Sequence, residues 1–146
     1  MKKLIFIFFI NIFITNYSSA LIEVDITRGN LDPLPIAVSP LHVDIKSDKY
    51  KDLNVKELGE KISEIIEKNF KNTGLFNPIK KDAFVQKPDI AHLKPRFEDW
   101  RLIKAQALVT GKLLISSDKL KVEFRLWDLA AAQEMTALAF TTTPSN

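Results

Sequence analysis

One stretch of this chain can be buried in only one way. Across residues 54–73 the apolar side chains Leu58, Ile62, Ile65, Ile66 and Phe70 recur at helical spacing, so a helix here has a single apolar face that must lie against something else. Asn54 is a suitable N-cap, Glu57 three positions on completes a variant of the capping box, and Gly74 supplies a left-handed terminator. Each apolar side chain buried contributes roughly 1.5–3 kcal/mol, which makes the stripe a core element and not a membrane surface. Gly59 sits inside the helix at a cost of about 1 kcal/mol relative to alanine, which predicts a neighbouring element in close approach there.

Almost everything else with a period has a period of two. Residues 21–28 alternate apolar and polar and stop at Gly29-Asn30, which reads as a half-buried strand ending in a turn. Residues 35–41, bounded by Pro35 and Pro40, give a second strand, expected as a hairpin partner of the first. Residues 42–52 turn polar and read as a surface connection. After the helix, residues 75–79 form a short edge strand, and residues 80–96, with Pro88 and Pro95, form a long loop. Phe97 and Trp100 pin one helical turn to the body. Residues 107–116, 120–128 and 134–143 then make a three-stranded meander, in which Val122, Phe124 and Leu126 alternate with Lys121, Glu123 and Arg125. The expected class is α+β: a mixed or antiparallel sheet of about five strands covered on one face by one long helix. Such a sheet has more apolar face than this helix covers, which predicts exposed apolar surface along the helix and the meander.

Lys2 and Lys3, the apolar run that follows them and the small residues Ser18 and Ala20 read as a cleavable export signal, with cleavage after Ala20. The run is broken by Asn11 and falls short of the roughly 20 apolar residues of a membrane-spanning helix. The remaining length, residues 21–146, fits one domain. Lys2 and Lys3 are among the 21 basic residues, so without them the remainder, 21 less two, nearly balances the 18 acidic ones, and basic and acidic side chains are interleaved, as on a solvated helix face. Such a balance gives no footprint for nucleic acid. Cysteine is absent, which removes thiol nucleophiles and thiolate metal sites.

Candidate chemistry is thin. His42, beside Asp44, and His92, near Asp89, are the two histidines and read as solvated loop residues. Ser39-Pro40 lacks the glycines of a nucleophile elbow, and Asp44 to Asp48 lacks the glycine and distal glutamate of a calcium loop. The glycines stand alone, so no phosphate-binding loop is present. The expectation is no enzyme activity, no catalytic residue, no cofactor and no metal.

Residues 21–29, Pro35-Ile36-Ala37-Val38, Asn72-Thr73-Gly74-Leu75-Phe76-Asn77-Pro78-Ile79, Trp100-Arg101 with Ala107-Leu108-Val109-Thr110-Gly111, and Phe124-Arg125-Leu126-Trp127-Asp128 resemble, in order, the TolB amino-terminal domain. The resemblance covers residues 21–143 and implies a non-enzymatic adaptor of the Tol-Pal system in the Gram-negative periplasm, active in outer-membrane invagination at cell division. It implies a fold similar to anticodon-binding domains, with no argument for RNA. It also implies that Leu21, Ile22, Glu23, Val24, Asp25, Ile26, Thr27, Arg28 and Gly29 are the segment that binds the C-terminal domain of TolA. Pal binds the family's β-propeller, and the family has a second long helix before it; this chain reaches Asn146 before either, so a truncated product is expected. Two other readings stand beside it: an exported binding domain that self-associates through its uncovered sheet, and an exported hydrolase using His42 or His92.

Overall fold

The computed structural model describes residues 32–143. Six strands form one mixed sheet: β1 (Leu34–Val38), β2 (His42–Ile45), β3 (Phe76–Pro78), β4 (Ala107–Ile115), β5 (Leu120–Asp128) and β6 (Gln133–Thr142). The long helix α1 spans Val55–Thr73; the short helices α2 (Pro88–Ala91) and α3 (Phe97–Leu102) follow β3. The order across the sheet is β3-β1-β4-β5-β6, and β2 pairs with β4 beside β1. β4 is thus the spine. One of its edges carries β1 and β2, both parallel to it, and the other carries β5 and then β6 in an antiparallel meander.

The meander and the edge position of β3 agree with the sequence reading. Among the described residues β1 pairs with β3 on one side and β4 on the other, both parallel. The proposed partner strand, residues 21–28, lies outside the described residues, as do the export signal and residues 144–146. The surface connection expected from residue 42 also begins as a strand, because His42, Val43, Asp44 and Ile45 pair with residues 112–115 of β4. Pro40 has no N–H and interrupts the ladder between β1 and β2. Beyond it the Leu41 N–H turns to donate to the Gly59 carbonyl of α1, at 3.2 Å. This is the close approach that Gly59 predicts.

Helix α1 starts and stops as its sequence dictates. Asn54 Oδ1 accepts from the Glu57 N–H, Asn54 Nδ2 donates to the Glu57 carboxylate, and Gly74 closes the helix at φ 72°. Leu58, Ile62, Ile66 and Phe70 pack on β1, β2, β4 and β5 around Ile36, Val38, Leu41, Val109 and Leu113. Ile65 departs from the expected stripe: it is 62% exposed, one step around the helix from the packed side. The opposite face of the sheet is better covered than a long loop would suggest. Trp100, 1% exposed, anchors α3 against Leu108, Trp127 and Leu129, and Phe84 and Phe97 stack edge-on against the two tryptophans. Gln86 Oε1 accepts from both the Trp100 indole and the Arg96 N–H, which ties the segment between β3 and β4 to this core.

Candidate functional site

Two regions of the described chain combine open space with unusual side chains. The first is a groove on the helix side of the sheet. α1 lies over β1, β2 and β4, reaches β5, and among the described residues leaves β6 without a roof. A hollow of about 290 Å³ opens between Ile66 and Phe70 of α1 and Val109, Phe124, Leu126 and Leu138 of the sheet. A second, of about 170 Å³, adjoins it through Phe70 and Leu126 and reaches Leu34, Phe76 and Met135. The walls of both are almost wholly apolar. All ten residues of β6 are exposed, with Leu138 at 55% and Phe140 at 58%. This is the exposed apolar surface expected from one helix on too wide a sheet.

The second region is built around the histidines, which are not the solvated loop residues the sequence suggests. His42 on β2 and His92 after α2 stack face to face, with ring centroids 4.2 Å apart and planes 7° from parallel. His92 is buried, and its Nδ1 lies 3.1 Å from the Pro88 carbonyl oxygen. Burial first, then the neighbouring His92 and the Lys112 ammonium, hold His42 below its ordinary pKa; Asp44 and Asp89 oppose this without cancelling it. Burial would raise the Asp44 carboxyl, but the ammonium groups of Lys46 and Lys112, at 3.2 and 3.6 Å, outweigh it and hold the group below the usual carboxylate range. Arg125 spans the same face: its Nη1 donates to the His92 carbonyl oxygen at 3.0 Å, and its Nε lies 3.2 Å from Glu134 at the start of β6. A cleft of about 650 Å³ runs beside the stack between β2 and residues 84–89.

The two rings are packed face to face against each other. Among the described residues no group of three or more histidine, aspartate or glutamate side chains converges as metal ligands, and no helix is long and apolar enough to cross a membrane. The residues assigned to TolA by resemblance, 21–29, lie outside the described part. The stack itself had no signal in the sequence, because it joins residues far apart in the chain.

Residues 22–135 match the family of the TolB amino-terminal domain. The Tol-Pal system protein TolB of Pelagibacter ubique (strain HTCC1062) is 60% identical over 143 residues, which is 97% of this chain and 32% of that protein. The chain therefore spans about a third of the length of this curated relative. Among solved structures, TolB from Acinetobacter baumannii superposes with a TM-score of 0.55 at 18% identity, over 76% of this chain and 23% of that one. The C-terminal domain of LpoB from Salmonella enterica gives 0.57 at 11% identity, over 80% of this chain and 87% of that one. At these identities the two structures speak for the fold alone.

Proposed function

Because this chain belongs to the TolB amino-terminal domain family, we propose that it serves the Tol-Pal system as a non-enzymatic adaptor in the Gram-negative periplasm, supporting outer-membrane invagination during cell division. The match over residues 22–135 carries this reading. In it, residues 1–20 direct export and are removed after Ala20, and the freed segment from Leu21 to Gly29 binds the C-terminal domain of TolA by adding an alternating strand to that partner's sheet. Among the described residues β1 already has a parallel neighbour on each side, β3 and β4. Residues 32–143 then act as the body from which the segment is presented. Contact with Pal belongs, by the same resemblance, to the propeller and not to the residues matched here.

The test is titration of the exported chain with the TolA C-terminal domain, followed by calorimetry. Saturable binding that disappears when residues 21–29 are deleted, with the circular dichroism spectrum unchanged, is the expected result. Equal binding by the deletion variant, or none by the parent, refutes the assignment.

A further inference from the structure

We propose that the stacked pair of His42 and His92 is an acid-sensitive latch, which holds residues 87–94 against β2 while His42 is neutral and releases them when it takes up a proton. The segment is fixed at both ends. Gln86 Oε1 accepts from the Trp100 indole and from the Arg96 N–H, and Gln86 and Pro95 are both buried. Between these two anchors only Ala91 and His92 are buried among the described residues. α2 is four residues long, too short to persist as a helix by itself. What holds it down is therefore largely His92: its ring lies on that of His42, with centroids 4.2 Å apart, and its carbonyl oxygen accepts from Arg125 Nη1 at 3.0 Å.

The charges around the pair decide what a proton does. Burial, the His92 ring and Lys112 of β4 disfavour a positive His42, whereas Asp44 of β2 and Asp89 of α2 favour it. The Asp44 carboxylate is engaged by Lys46 and Lys112, at 3.2 and 3.6 Å, and the Arg125 guanidinium of β5 by Glu134 of β6, at 3.2 Å. Lys56 and Glu60 of α1, with Lys81 and Lys87, line the cleft alongside. The balance leaves the neutral ring preferred in the closed arrangement, so a proton binds more readily once the rings part. Opening is accordingly coupled to proton uptake. The latch is closed above about pH 6.5 and weakens as pH falls toward the lower pKa of the closed state, the opening constant rising by at most about tenfold per pH unit. Release also removes one wall of the cleft of about 650 Å³, which lies between β2 and residues 84–89.

Hydrogen exchange of the full chain, read by mass spectrometry and corrected for the intrinsic pH dependence of amide exchange, tests this between about pH 7.5 and about pH 5. The reporters are Ile90, Ala91, His92 and Leu93, whose N–H groups donate to carbonyl oxygens within residues 87–90. Their protection is expected to fall on acidification, by up to about tenfold per pH unit, while β4 and β5 keep theirs. His42→Asn, which cannot take up a proton, should make exchange of the segment independent of pH over this range. If that variant loses its native circular dichroism, His42→Gln takes its place. Protection that does not change with pH in the parent, that falls equally in β4 and β5, or that still falls on acidification in the His42 variant would overturn the proposal.

Discussion

Substituting Gly59 by alanine should destabilise this protein, although the same change in an exposed helix interior is stabilising by about 1 kcal/mol. A Cβ at position 59 would fall inside the contact shell of the Leu41 carbonyl oxygen and 3.3 Å from its carbonyl carbon. Both obstacles are backbone atoms, so no side-chain rotation relieves the clash. Leu41 is moreover held where it is by its N–H bond to the Gly59 carbonyl. Overpacking of a tight contact costs roughly 1–3 kcal/mol, and a lost hydrogen bond adds about 1 kcal/mol. Set against the gain in helix propensity, the net loss is about 1–3 kcal/mol. For a domain of this size each kcal/mol lowers Tm by about 4 °C, which predicts a drop of about 4–12 °C. Urea titration and thermal melting at neutral pH, both followed by circular dichroism, measure it. A Gly59→Ala variant as stable as the parent would mean that α1 does not press on Leu41, and the packing of helix on sheet would have to be redrawn.

The histidine stack predicts a pH dependence. The fold holds His42 below its unfolded pKa of about 6.5, so the neutral form is favoured on folding. The stabilisation is present above that value and is lost as pH falls through the folded pKa. Melting temperature should therefore decline on acidification below neutrality, and His42→Asn, leaving Lys112, Asp44, Asp89 and His92 in place, should flatten that part of the profile; an unchanged profile would remove His42 as its source. Thr110→Val should cost about 1–3 kcal/mol in urea denaturation, because the buried Trp127 indole N–H, which donates to Thr110 Oγ1 at 2.9 Å, would lose its acceptor. An undiminished stability, with unchanged tryptophan emission, would show that the indole finds another partner.

What could be read in the sequence follows from how local each signal is. Helix α1 declares its cap, its stripe and its terminator within one continuous segment, and the structure reproduces all three; only Ile65 lies off the packed side. The meander is equally local, since its strands are joined by short turns and alternate cleanly from Val122 to Leu126. β1 was recognisable as a strand but not its partners, because a parallel neighbour comes from a distant segment and leaves no mark nearby. β2 was missed for a related reason: four residues carrying His42 and Asp44 are too short and too polar to stand out until β4 is placed beside them. The histidine pair was hidden altogether, being made by a strand and a turn fifty residues apart in number that only the sheet brings together. The unroofed β6 was legible as a mismatch of areas, a quantity that needs no knowledge of pairing.

The central place of β4 has a consequence in time. β1 ends at Val38, yet the strand that satisfies one of its edges begins only at Ala107, whereas β4, β5 and β6 follow one another through tight turns. Contacts between near neighbours close quickly and distant parallel ones slowly. Residues 107–142 would therefore assemble first and serve as the template on which the earlier described residues are hung. A defect in that template would strand the N-terminal half before it had anything to join.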